Sequence, residues 1–297
     1  MWRLSCRSLL WVVCCMPLPA KEIAIDQLAR VSEPVFDPAK GVWTYRVESQ
    51  FMSRENAIEV LLPDGFDKTK QYRVLYVLPV EPGIGGRYGD GLQEVKKAGV
   101  HNKYDLICVA VAFDTVPWYG AHATDQGIRH EDHIRRVAVP LIESRYPTGG
   151  DADGRLLLGF SKSGFGALTL ILRHPDFFGY ACSWDAPLMM DRRSFGTFET
   201  GRHFGTEENF AEYLPLRLLD QRAAAFRRRA RIAVLGYRSF GTAASPDGRP
   251  HTAAFHERLD ELGVKHRYRN DLNVRHDWHS GWVPSAIEIL MEMARAP

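Results

Sequence analysis

Cysteine is scarce in this chain: there are five in 297 residues, and Cys6, Cys14 and Cys15 fall within the first twenty. The other two, Cys108 and Cys182, sit inside apolar, strand-like runs, where a thiol behaves as a small buried apolar group and not as a nucleophile. No disulfide framework follows. Neither sign of charge dominates, with 38 Lys and Arg against 36 Asp and Glu. Because Arg3 and Arg7 are the only charged residues before position 21, the remainder balances at 36 to 36. A balanced chain excludes nucleic acid as a partner, since phosphate binding depends on concentrated positive charge. The one basic run, Arg227-Arg228-Arg229-Ala230-Arg231, reads as the solvated end of a helix ahead of a buried strand.

Long apolar runs are missing too. Leu9 to Met16 is too short to span a bilayer, which excludes a membrane span there. With Arg3 and Arg7 before it and Pro17-Leu18-Pro19-Ala20 after it, the run matches the charged, apolar and small-residue regions of an export signal. That predicts residues 1–20 as a signal cleaved near Ala20, residues 21–297 as a single domain, and a periplasmic or secreted location. Repeats and low-complexity tracts are absent, and 45% apolar with 25% charged content suits one large core. No GxGxxG is present; Gly83-Ile84-Gly85-Gly86 resembles a dinucleotide loop only loosely. His130-Glu131-Asp132-His133 falls short of the helical zinc signature and reads as a charged first helical turn. His276 and His279 have no third ligand cluster at convincing spacing. Neither a metal nor an organic cofactor is expected.

What is present is an alternation of strand and helix patterns. Val42 to Gln50 and Asn56 to Pro63 alternate like a hairpin of half-buried strands, while Tyr72 to Leu78 and Asp105 to Phe113 are denser apolar runs, typical of strands covered on both faces. Leu92 to Ala98 reads as a short helix, and His130 to Arg145 places Ile134, Val137, Ala138, Leu141 and Ile142 on one helical face. Strands follow at Arg155 to Phe160 and Tyr180 to Trp184. Residues 187–229, rich in Phe, Met, Arg and Gly, interrupt the alternation after the sixth predicted strand and read as a helical insertion over one end of the sheet. Ile232 to Tyr237, the helix Ala253 to Leu262, Lys265 to Arg269 and a last helix from Trp282 to Ala294 resume it. The whole predicts an α/β fold: a mostly parallel sheet flanked by helices, behind an N-terminal antiparallel hairpin, with chemistry at the carboxyl ends of the strands.

One stretch carries that chemistry. In Gly159-Phe160-Ser161-Lys162-Ser163-Gly164-Phe165-Gly166-Ala167, a strand pattern passes to a helix pattern through Ser161. A turn that lifts a side chain above the sheet needs unusual dihedrals and close strand–helix approach, so Gly159, Gly164 and Gly166 supply room. The amides at the helix start then favour a developing oxyanion. Ser163 stands where the pattern G-x-S-x-G has glycine. The plain alternative is a glycine-rich turn that merely closes the sheet.

Beyond this elbow, Tyr72 to Leu78, Trp118-Tyr119, Pro140 to Tyr146, Arg173-His174-Pro175-Asp176-Phe177-Phe178, and His276-Asp277-Trp278 with Trp282 resemble the esterase D branch of the α/β-hydrolases over roughly residues 45–295. That branch includes S-formylglutathione hydrolases, feruloyl and acetylxylan esterases, and mycolyltransferases. The resemblance implies a serine esterase acting through an acyl-enzyme on a small-molecule or carbohydrate ester. Ser161 would be the nucleophile and His276, chosen over His279 and the strand residue His266, the base. Analogy places the acid after Ile232 to Tyr237, where Asp247 is the only aspartate, although Ser245-Pro246-Asp247-Gly248 is also a turn signature. Asp185, at the end of the preceding strand among apolar neighbours, is the other candidate and needs a partner such as a histidine or a backbone donor; the plain alternative is that it caps the strand end or pairs with a nearby arginine. The oxyanion donors would be the Lys162 amide and one from Val80, Glu81 or Gly83. Here Pro79-Val80-Glu81-Pro82 replaces the family's usual His-Gly, and prolines have no N–H to give. Phe195, Phe198, Phe204 and Phe210 would line an acyl or carbohydrate pocket or form a small subsidiary core. Ser163 and the missing His-Gly leave a second reading open, a hydrolase-like binding protein without turnover.

Overall fold

The computed structural model of the chain describes residues 24–238 and 249–295. Its strands, in chain order, are β1 (Ala29–Val31), β2 (Val35–Asp37), β3 (Val42–Ser49), β4 (Asn56–Leu61), β5 (Arg73–Leu78), β6 (Gly85–Gly86), β7 (Gly89–Asp90), β8 (Leu106–Val111), β9 (Arg155–Phe160), β10 (Tyr180–Trp184), β11 (Ile232–Leu235) and β12 (His266–Arg269). Ten of them form one sheet in the order β1-β3-β4-β8-β5-β9-β10-β11-β12, with β2 also paired to β3, while β6 and β7 make a separate ribbon. From β8 through β12 every pairing is parallel; β1 to β4 add an antiparallel edge. This is the fold class the alternation predicts.

Parallel strands need crossover helices, and those helices bury both faces of the sheet. Alternate side chains therefore feed two cores. Tyr76, Leu157, Ala181 and Val234 point into one, against helices Lys162–Arg173 and His251–Glu261. Leu75, Leu158, Cys182 and Leu235 point into the other, against helices Gly91–Lys97 and Val283–Arg295. Cys108 and Cys182 are buried and unbridged, and burial pushes both thiols well above their ordinary pKa.

Some expectations need correction. β1 and β2 had no sequence signal because they are three residues long with mostly uncovered side chains, so no alternation marks them. With β1, β2 and the two-residue strands β6 and β7 counted, the sixth predicted strand is the tenth described one, β10, and the helical insertion follows it as expected. The helix expected over 130–145 is α over His130–His133, a π turn over Ile134–Ala138, and α again over Val139–Arg145. Pro140, which has no N–H for the i−4 carbonyl, accounts for the change of hydrogen-bond spacing. Its first turn is a charged one, as expected, and much of it lies inside the protein. His130, Glu131 and His133 are buried, and Glu131 accepts from Arg173 Nε at 2.9 Å and meets His174 at the end of the elbow helix. The basic run is not wholly solvated: buried Arg231 donates to the carbonyls of Gly179, Pro175 and Phe178, and Arg229 pairs with Asp153.

Candidate active site

The strand register assembles the site. Phe160, Trp184 and Leu235 are direct neighbours across β9, β10 and β11. The next residue of each chain, Ser161, Asp185 and Gly236, therefore leaves the sheet in one row. Leu78 pairs with Gly159, so Pro79-Val80 enters the same end from the other side.

Ser161 takes φ 54° and ψ −123°, a conformation that costs about 1–3 kcal/mol for a residue with a Cβ. Two bonds hold it there: Ser161 N–H donates to Trp184 O at 2.9 Å, and Phe165 N–H donates to Ser161 O at 3.0 Å. A Cβ at Gly159 would lie 2.0 Å from Ser163 O, so only glycine lets the helix fold back on the strand. Ser163 does not crowd the turn. Its hydroxyl is fully buried, accepts from Phe160 N–H and donates to Phe160 O, each at 2.9 Å, and so satisfies the last residue of β9.

Asp185 is fully buried at φ 42°. Its Oδ1 accepts from the backbone N–H groups of Tyr237 at 2.8 Å and Arg238 at 3.2 Å, and its Oδ2 lies 3.3 Å from His276 Nδ1 and 3.2 Å from Arg238 Nε. The carboxylate thus meets backbone donors, a histidine and an arginine together. Gly236, at φ 103°, makes the wrap possible, because a Cβ there would sit 2.2 Å from Oδ1. Asp247 lies outside the described residues.

His276 hangs on a loop anchored at several points. Tyr237 Oη donates to Val274 O at 3.2 Å, Trp278 N–H donates to Tyr88 O at 2.8 Å, and Trp282 Nε1 donates to Asp277 O at 3.0 Å. Trp282 in turn stacks on Trp184 of β10 with ring centres 5.1 Å apart. The imidazole packs on Phe160, centroid to centroid 4.4 Å. His279 turns elsewhere, its Nδ1 2.9 Å from Glu94 Oε1, and His266 meets His256 at 2.7 Å on β12.

Ser161, Lys162 and His276 share one cavity of about 630 Å³, closed by Arg87, Tyr88, Trp118, Pro187, Phe198, Tyr237 and Arg238. Lys162 begins helix Lys162–Arg173, where its N–H has no intrahelical acceptor. Across from it, Gly83 N–H is taken by Phe113 O at 2.8 Å, which removes Gly83 and leaves Val80 and Glu81. Glu81 is tied to Arg87 by its carboxylate, Arg87 Nε to Oε1 being 2.8 Å. Tyr119 Oη, fully buried, donates to Pro79 O. The insertion aromatics divide: Phe204 and Phe210 are buried in a subsidiary core with Trp118, Phe165 and Tyr213, and Phe195 packs against it. Phe198 alone of the four lines the cavity, at φ 50°, with its carbonyl accepting from Trp118 Nε1 at 3.0 Å.

Sequence reasoning did not single out Arg87, Tyr88, Pro187, Tyr237 or Arg238. They reach the site from loops, and no spacing rule marks such residues. Among the described residues no helix is long and apolar enough to cross a membrane.

Residues 116–293 match the family described as "Putative esterase". Esterase Rv1288 of Mycobacterium tuberculosis (strain ATCC 25618 / H37Rv) is 28% identical over 162 residues, which are 52% of this chain and 34% of that protein. The chain thus spans about a third of the length of the curated relatives it matches. A ferulic acid esterase shares the fold at 20% identity and TM-score 0.61, covering 90% of this chain and 99% of that one. An S-formylglutathione hydrolase from Agrobacterium tumefaciens does so at 13% identity and TM-score 0.64, covering 89% and 100%. With a model match over more than half its length, on a sheet of the α/β-hydrolase fold, the chain belongs to the Esterase family.

Proposed function

We propose that the protein cleaves a carboxylic ester through an acyl-enzyme, with Ser161 as nucleophile, His276 as base and Asp185 as the carboxylate that orients it. The observation that carries this reading is that Ser161 and His276 line one cavity while His276 Nδ1 faces the buried Asp185. With its Nδ1 proton directed to Asp185, the ring has Nε2 to accept the Ser161 proton as Oγ adds to the ester carbonyl. The tetrahedral oxyanion is held by the Lys162 N–H and one from Val80 or Glu81. Collapse expels the alcohol, which takes the proton back from Nε2. Water then repeats the addition, its proton passing to Nε2, and the acid leaves with Ser161 restored. Asp247 is the competing acid.

The substrate reading is a small acyl ester or an acylated carbohydrate, and the location is periplasmic or secreted. The first rests on the cavity's size and its aromatic wall and on relatives named for ferulic acid ester and S-formylglutathione cleavage. The second rests on the N-terminal pattern alone. The test is labelling by a fluorophosphonate together with hydrolysis of 4-nitrophenyl acetate. Both are expected in the native chain and lost in Ser161→Ala. Neither occurring would refute the mechanism and leave a hydrolase-like binding protein.

A further inference from the structure

The cavity wall is cationic. Arg87, Lys162 and Arg238 all line it, and among the described residues no Asp or Glu does. Two of the three have carboxylate partners, Glu81 for Arg87 and Asp185 for Arg238. Lys162 has none among the described residues: its ammonium makes no ion pair or hydrogen bond with any of them. It is also partly buried, and burial, the leading influence, pulls its pKa below the ordinary lysine value, with the charge of Arg87 acting the same way and those of Glu81 and Glu199 opposing.

An ammonium drawn from water without a counter-charge is unfavourable, and a ligand that supplies the charge gains from relieving it. The position matters as much as the sign. Lys162 follows Ser161 directly, so its side chain starts one residue from the bond to be cleaved. Resting on the hydrolase reading above, we propose that the ester this site takes carries an anionic group, a carboxylate in the simplest case, close to the scissile bond, and that Lys162 selects it. A neutral ester of the same shape would leave the ammonium unpaired under the bound substrate. Arg87 and Arg238, each with guanidinium donors beyond those facing its carboxylate, add long-range attraction at the mouth.

Matched ester pairs test this. On the acyl side, 4-nitrophenyl hemisuccinate is compared with 4-nitrophenyl butyrate; on the alcohol side, 4-acetoxybenzoate is compared with its methyl ester. In at least one pair the anionic member is expected to have the higher kcat/KM, by about 10- to 100-fold, the range of a charge-assisted contact. That ratio falls toward one in Lys162→Met, survives in Lys162→Arg, and shrinks with added salt. A ratio near or below one in both pairs, or a ratio that persists in Lys162→Met, overturns the proposal. Should no ester be turned over, the mechanism fails separately, and binding still decides the charge question. Ser161→Ala is titrated with monomethyl succinate and with dimethyl succinate. Tighter binding of the monoanion, by about tenfold and lost when Lys162→Met is added, supports the anionic ligand; equal binding refutes it.

Discussion

Replacing Asp185 by Asn separates the two candidate acids, and the structure says how large the effect should be. The carboxylate has four neighbours: two backbone N–H groups on Oδ1, and His276 Nδ1 with Arg238 Nε on Oδ2. An amide keeps its oxygen toward Tyr237 and Arg238 N–H, so the loop after β11 stays wrapped. Its NH2 then faces His276 Nδ1, which can respond only by presenting a lone pair. That puts the proton on Nε2, where it blocks acceptance from Ser161. The expected loss in kcat is ~10³–10⁴-fold, equivalent to about 4–5.5 kcal/mol at ~1.4 kcal/mol per tenfold. Stability should fall by less, on the order of 1–3 kcal/mol, because one charge-assisted contact is lost and the backbone donors remain satisfied. The assay is kcat and KM on 4-nitrophenyl acetate, with urea unfolding of the same preparations as control. Asp185→Asn within tenfold of the native kcat, alongside a collapse in Asp247→Asn, would refute the assignment and move the acid to the other loop.

Tyr119→Phe should lower kcat by about 10- to 100-fold with KM little changed. The phenol holds the carbonyl of Pro79, and in a trans peptide that fixes the opposite direction of the Val80 N–H, one proposed oxyanion donor; unchanged kcat would remove Val80 from the hole. Ser163→Gly should cost about 1–2 kcal/mol of stability through its two lost bonds to Phe160 and the added chain entropy, yet still label with fluorophosphonate; abolished labelling would show that this hydroxyl does more than brace the elbow. Acid should destabilise the fold early. Burial lowers His133 to about 4 and His203 to about 3, and puts His130 well below 6.5 with help from the charges of the other two. These folded values lie below the unfolded one, so the stability they confer is whole above pH 6.5 and lost as pH falls toward them. Between pH 6.5 and 5 that is about 2 kcal/mol per histidine; a flat urea midpoint from pH 7.5 to 5 would contradict the burial of these rings.

The elbow was legible because its chemistry is local. Gly159, Ser161 and the helix behind them lie within a few residues, so the dihedral demands on the turn are written in one short window, and strand and helix periodicities flank it. His276 was singled out by the resemblance of its His-Asp-Trp segment to the family's, and the structure sets it on the same cavity as Ser161, ahead of a tryptophan that stacks back onto β10. The surroundings of Asp185 were only half legible. Burial among apolar neighbours demanded partners, but which partners arrive depends on the register of β10 against β11 and on a glycine 51 positions later, Gly236, that lets a loop close over the carboxylate. No sequence period records a contact of that kind. The insertion failed differently: Phe195, Phe198, Phe204 and Phe210 are chemically alike, yet three pack inward and one faces the cavity. What separates them is backbone, the left-handed conformation of Phe198 and the indole that holds its carbonyl, so the wall of the pocket is set by a turn that aromatic content alone could not reveal. The same holds for Lys162, whose position after Ser161 was read as a source of one N–H. The structure puts Lys162 in the wall of the cavity that Ser161 and His276 line, which makes the residue a candidate for choosing the substrate of the proposed reaction as well as for stabilising its transition state.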